Sequence, residues 1–232
     1  LAHVYDYNMA SEWMDFEIKY ERCKDIAAQK RLIDDVIAVV QSPTQLLLFV
    51  DAPGGCGKTF CFNCLLAYFR SQGLVALAVA STGIAALQLS GGKTVHTAFG
   101  VPIDPTGRRR GRVTLNISKN SALGKLIMYY LDVIIWDETP MTNCDIFESL
   151  DHTMRELRAD PRPFGGVNVL SAGDFRQTMP VVRGATRAEQ VNASILTSAS
   201  FQPFTFFHLT VNVRVEMCKL TDPTRSKLLE RW

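Results

Sequence analysis

A chain of 232 residues with 47% hydrophobic and 21% charged residues is long enough to bury one large α/β core and too apolar for an extended disordered chain. Its 25 Lys and Arg against 23 Asp and Glu leave a net charge of +2, which excludes a global basic field, so any contact with a polyanion must be local. Six cysteines are scattered without the density of a disulfide framework, which points to a reducing compartment.

The first residue is Leu1, and the reading is that the chain opens at a fragment boundary. Residues 1–28 are expected to form a helical N-terminal extension, with a helix carrying on to Val40. The longest apolar runs, 46–50 and 75–80, are far too short to cross a bilayer, so no membrane role is suggested. The run 46–50 ends at Asp51, residues 52–57 break the pattern, and 58–70 carries apolar residues at helical spacing, which reads strand, loop, helix. Cys61 and Cys64 form a C-x-x-C inside that helix. No second pair stands at finger spacing, so they are read as packing residues.

Further strands are expected at 75–80, 133–136 and 167–172, with a helix over 143–157 between the last two. Such alternation predicts a mainly parallel sheet with helices on both faces. Ligands of open sheets bind beyond the carboxyl ends of the strands, so chemistry is expected just after Val50, Ala80, Trp136 and Ala172. Residues 102–121 hold Pro105, Gly107, Gly111 and the run Arg108, Arg109, Arg110 and Arg112. They read as a basic surface excursion, either touching nucleic-acid phosphates or simply solvated.

Ala52-Pro53-Gly54-Gly55-Cys56-Gly57-Lys58-Thr59 fits the phosphate loop G-x-x-x-x-G-K-[ST] except that Ala52 stands at the first glycine. In such a loop the backbone N–H groups of Gly54, Gly55, Cys56, Gly57, Lys58, Thr59 and Phe60 face phosphate oxygens at a helix N-terminus. Lys58 reaches the β and γ phosphates, and the Thr59 hydroxyl ligates Mg²⁺. Four apolar residues then deliver Asp137 and Glu138 to a strand end. Asp137 is read as a holder of Mg²⁺ and Glu138 as the residue that orients or deprotonates the attacking water. On the residues alone, Gln177 in Gly173-Asp174-Phe175-Arg176-Gln177 either senses a γ phosphate or satisfies a turn.

These motifs, together with Ala80-Ser81-Thr82-Gly83-Ile84-Ala85-Ala86, Thr94-Val95-His96 and Leu209-Thr210-Val211-Asn212-Val213-Arg214, resemble superfamily-one DNA helicases and, within them, the Pif-one family (petite integration frequency). Ile134-Ile135-Trp136-Asp137-Glu138, Phe147-Glu148-Ser149-Leu150-Asp151 and Pro163-Phe164-Gly165-Gly166 resemble the helicase modules of Helitron-type rolling-circle transposons. The resemblance implies a RecA-like phosphate-loop NTPase domain over 29–210 and the start of a second such domain over 211–232. It implies ATP and Mg²⁺ as ligands, 5′ to 3′ translocation on single-stranded DNA, and unwinding of duplex or forked DNA by a monomer. Repair, recombination, telomere maintenance or transposon replication would be its setting, with the nucleus as the expected compartment and the mitochondrion and cytoplasm left open.

By the same resemblance Gln177 senses the γ phosphate and Arg214 is the arginine-finger candidate. Gln29 reads adenine, or else is an exposed helix residue. Ser81, Thr82, Gly83, Thr94 and His96 line a single-strand groove, or else Ser81 or Thr82 caps a helix and His96 lies in the core. Later family motifs have no counterpart after Arg214, so the visible chain is expected to bind nucleotide, hydrolyse it slowly and not unwind duplex alone. A GTPase switch is disfavoured because no N-K-x-D follows. The alternative is a degenerate nucleotide-gated DNA-binding module.

Overall fold

The computed structural model describes residues 8–23, 26–102, 113–177, 180, 182, 184 and 186–216. The arginines Arg108, Arg109, Arg110 and Arg112 and the chain after 216 lie outside the described residues. The strands are β1 (Leu47–Asp51), β2 (Val75–Ala80), β3 (Lys93–Thr94), β4 (Leu131–Asp137), β5 (Asn168–Gly173) and β6 (Thr205–His208). They form one six-stranded sheet in the order β3-β2-β4-β5-β1-β6, and every pairing is parallel.

The apolar runs are continuous because both faces of the central strands are covered. Successive residues serve opposite cores: Leu48 and Val50 of β1, and Val133 and Ile135 of β4, pack into one. Phe49, Ile134 and Trp136 pack into the other. The first core is closed by α1 (Met9–Cys23), α2 (Ala27–Val40) and α3 (Lys58–Ser71). In α2 the buried set Gln29, Leu32, Ile33 and Val36 follows the i, i+3, i+4, i+7 stripe of a helix laid on a sheet. Helix α1 contributes Phe16 to the same core, its ring 5.0 Å from that of Tyr68 on α3.

Two short helices, α4 (Gly83–Gln88) and α5 (Val95–Phe99), follow β2 and β3. The second core is covered by α5, α6 (Ala122–Tyr129) and α7 (Cys144–Arg158), and α8 (Arg187–Asn192) precedes β6. The stretch expected to be a surface excursion through 121 is only partly so. Val113 and Leu115 are buried in the second core, and Val113 N donates to Ser149 Oγ at 2.8 Å. Their apolar alternation outweighs the polarity of their neighbours.

Asp151 on α7 is 3% exposed and serves as a hub of that face. It accepts from Arg155 Nε at 2.8 Å and Nη2 at 2.7 Å, from Phe164 N at 2.6 Å and from Ser200 Oγ at 2.6 Å. One carboxylate thereby joins α7 to the turn Pro163–Gly166 and to the segment leading into β6.

Candidate nucleotide and nucleic-acid site

The register sets the site. Asp51 lies opposite Gly173 and Ala80 opposite Asp137, so the segments after β1, β2, β4 and β5 all leave from one rim, as the parallel topology requires. The phosphate loop rises from β1 into α3. Its turn uses left-handed backbone at Gly55 (φ 87°) and at Gly57 (φ 81°), the N-cap of α3, a region open to glycine without steric penalty.

Gln29 fixes the loop from behind. Its side chain is 2% exposed and its Nε2 donates to the Cys56 carbonyl at 2.9 Å. A Cβ at Gly57 would stand 2.2 Å from that nitrogen. Of the two sequence readings of Gln29, the exposed one is therefore incorrect. Cys56 is itself buried, and burial pushes its thiol pKa up, so it sits in the loop as a neutral packing group. Cys61 and Cys64 are wholly buried in the first core.

Lys58 is buried, its ammonium held by the Ala52 carbonyl at 3.0 Å and by Glu138 Oε1 at 3.5 Å. The Thr59 hydroxyl donates to Asp137 Oδ2 at 3.1 Å. Asp137 is 2% exposed. Burial first, and the neighbouring Glu138 charge second, raise its carboxyl pKa above the ordinary value. Glu138 adopts left-handed backbone (φ 53°), a conformation costing a non-glycine residue roughly 1 kcal/mol. Its N–H donates to Asp137 Oδ1 at 2.9 Å, and Thr139 Oγ1 donates to the Trp136 carbonyl at 2.9 Å. The bend is held by its own polar groups and turns Glu138 back over Lys58.

Behind this bend Pro140 packs so tightly on Gly173 that a Cβ there would lie 2.2 Å from its Cδ. The turn after β5 follows. Gln177 Nε2 donates to Asp174 Oδ2 at 2.9 Å and stands 3.6 Å from where a Cβ on Gly54 would be, so its amide faces the phosphate loop. Burial pushes the Asp174 pKa up, but hydrogen bonds from Arg176 and Gln177 outweigh it and hold the group below its ordinary value. From the far side of β1 the segment after β6 also reaches the loop, where Arg214 N donates to the Gly55 carbonyl at 3.2 Å.

The comparisons agree with this geometry. A profile of the PIF1-like helicases matches residues 26–231. The chain belongs to the PIF1-like helicase family. It is 34% identical over 130 residues to "ATP-dependent DNA helicase PIF3" of Trypanosoma brucei brucei, a match covering 56% of this chain and 15% of the relative. The crystal structure of a Bacteroides Pif1 helicase in complex with ADP-AlF3 and ssDNA superposes with a TM-score of 0.62 at 27% identity, over 77% of this chain and 41% of that one. A structure described as showing DNA unwinding at forked dsDNA by two coordinating Pif1 helicases gives a TM-score of 0.61 at 26% identity, covering 77% and 43%. The matches thus span less than half the length of these relatives, and the sheet is the RecA-like fold expected from the sequence.

In this PIF1-like chain the residues assigned to a single-strand groove lie at and just after the ends of β2 and β3, where Ser81 N donates to the Asp137 carbonyl at 3.2 Å. Thr82 caps α4 by accepting from Ala85 N, and Thr94 caps α5 by accepting from Thr97 N, each at 3.2 Å. Ser81 is not a cap. Its hydroxyl pairs with Thr142 Oγ1 at 2.7 Å and receives Trp136 Nε1 at 3.3 Å. Gly83 is exposed, with open space where a Cβ would be. His96 is half-buried rather than a core residue. Sequence reasoning passed over Asp174, the anchor of Gln177, and Asn212, whose side chain meets Gly54 and Gly55. Both lay inside the quoted motifs: Asp174 pairs within its own turn, with Arg176 and Gln177, whereas Asn212 reaches back to Gly54, far away in sequence.

Proposed function

We propose that this chain carries the ATP site of a DNA helicase in which Mg-ATP hydrolysis drives 5′ to 3′ movement along single-stranded DNA and opens duplex or forked DNA ahead. The observation that carries the reading is the linked set at the rim: Lys58 beside Glu138 at 3.5 Å, and Thr59 bonded to Asp137 at 3.1 Å. The helicase names of the relatives and the nucleotide and single-stranded DNA bound to the Bacteroides neighbour support it.

Thr59 and Asp137 present the hard oxygen donors that Mg²⁺ prefers, and a buried carboxylate with a raised pKa is a group that a cation would relieve. Held by Thr59 and Asp137, Mg²⁺ would supply positive charge that offsets the charge of the phosphates. Lys58 adds a second positive charge, and the loop amides of Gly54 to Phe60 hold phosphate by hydrogen bonds. Glu138 is 28% exposed, within reach of water, and takes the role of orienting and deprotonating it. Gln177 senses the γ phosphate, Arg214 meets transition-state charge, and the Gln29 amide oxygen remains an acceptor for the adenine amino group. Ser81, Thr82, Gly83, Thr94 and His96 flank the DNA path, the Thr82 and Thr94 hydroxyls capping helices and the Ser81 hydroxyl held by Thr142 and Trp136, while amides and the imidazole face the strand.

The test is ATP binding and hydrolysis by the chain, with and without single-stranded DNA. Lys58→Ala is expected to weaken nucleotide binding at least about tenfold. Glu138→Gln is expected to keep binding and lower turnover by roughly 10²- to 10⁴-fold. Absence of nucleotide binding by the parent chain would overturn the reading in favour of a DNA-binding module that has lost its motor chemistry.

A further inference from the structure

The segment after β6 folds back over the phosphate loop. Leu209 N donates to the Asp51 carbonyl at 3.0 Å, which keeps the segment alongside β1, and a short helical turn over 213–216 follows. Asn212 precedes that turn and performs two tasks with one amide. Its Oδ1 accepts from Val215 N at 3.2 Å, capping the turn, while its Nδ2 donates to the Gly54 carbonyl at 3.3 Å. The backbone adds a second tie, Arg214 N to the Gly55 carbonyl at 3.2 Å. The approach is so close that a Cβ at Gly55 would lie 2.6 Å from Asn212 Oδ1. Gly55 therefore has to be glycine for Asn212 as well as for its own backbone angle.

We infer that Asn212 is a positioning residue for the chemistry at the γ phosphate, fixing Arg214 in register with the phosphate loop. The inference rests on the ATP-site reading above. An amide suits the position because its planar group carries an acceptor and a donor together. A serine would retain the capping acceptor but is too short to donate to Gly54 as well. With both ties made, the carbonyls of two adjacent loop glycines and the backbone of Arg214 move as one body. A shift of the loop around phosphate is passed directly to the residue that meets the developing charge.

The test compares binding of fluorescent ADP, with Mg²⁺, in the absence and presence of aluminium fluoride, which completes a mimic of the transferring phosphate. The variants are Asn212→Ala, Asn212→Ser, Arg214→Ala, the double Asn212→Ala/Arg214→Ala, and Lys58→Ala. Asn212→Ala and Asn212→Ser are expected to leave ADP affinity within about twofold and to lower affinity for the fluoride complex about tenfold. In the Arg214→Ala background, Asn212→Ala is expected to add nothing, because the two act as one unit.

Three results would overturn the inference: additive losses in the double variant, an Asn212→Ser protein that binds like the parent, or equal losses for ADP and for the fluoride complex. The first separates Asn212 from Arg214, the second reduces it to a helix cap, and the third makes it a support of the loop alone. Unchanged ADP binding by Lys58→Ala would instead refute the underlying ATP-site reading. Thermal melting of Asn212→Ser, which keeps the cap, shows whether a loss arises from unfolding.

Discussion

Two aspartates of this molecule share a burial and differ in everything else. Asp137 is 2% exposed and Asp151 is 3% exposed. Around Asp151 the fold supplies a two-pronged guanidinium, a backbone N–H and a hydroxyl, so the charge is matched in place. Around Asp137 it supplies one hydroxyl, the adjacent backbone N–H and the nearby Lys58 charge, and sets a second carboxylate next in the chain. The outcome is a raised pKa. Fully matched buried charge belongs to architecture, whereas under-matched buried charge beside a strained backbone belongs to chemistry.

Three substitutions sharpen this contrast. The largest stability effect is expected at the hub: Asp151→Asn removes the charged acceptor shared by Arg155, the Phe164 N–H and Ser200 and should lower unfolding free energy by about 2 kcal/mol in urea titration. A loss below about 0.5 kcal/mol would place Asp151 among ordinary surface pairs. The smaller and opposite effect is expected at the rim. A carboxyl whose folded pKa is raised contributes stability at pH below its unfolded value and loses it as pH rises through the folded value. At neutral pH Asp137 is therefore a burden on the unliganded fold. Asp137→Asn should raise Tm by about 2–4 °C there, with the gain vanishing at pH below the ordinary carboxylate range, while Mg²⁺-dependent nucleotide binding is lost. A lower Tm at neutral pH would show that Asp137 is as well matched as Asp151. Smallest is Thr82→Ala, where the lost cap of the short α4 should cost about 0.5 kcal/mol. If stability is untouched and only affinity for single-stranded DNA falls, the hydroxyl serves the strand rather than the helix.

The central strands β1, β2, β4 and β5 were legible because each is an apolar run ended by Gly or by polar residues, and burial on both faces leaves no other pattern. The same runs aimed the sequence reading at Lys58, Asp137, Glu138 and Gln177, since a parallel sheet sends its strand ends to one rim. The edges were not legible. Strand β3 has two residues, and Phe206 on the edge strand β6 is 47% exposed, so neither carries a burial signature. Val113 and Leu115 were obscured by the arginine run before them. Gln29 stayed ambiguous because one glutamine on a helix reads alike whether it faces water or the Cys56 carbonyl. Asp174 holds Arg176 and Gln177 within a single turn, which periodicity does not register, and the contact of Asn212 with Gly54 depends on how loops cross.

The resting contacts of Lys58 bear on how a ligand is received. Its ammonium already has the Ala52 carbonyl and the Glu138 carboxylate, so under the proposed ATP-site reading a triphosphate enters by exchange rather than by addition. Each bond to phosphate replaces one within the protein, and the measured affinity reports the difference between them. The same exchange frees the Glu138 carboxylate from its cation as the phosphate arrives. Under the proposed ATP-site reading, the carboxylate assigned as base is masked before nucleotide binds and unmasked by the nucleotide itself.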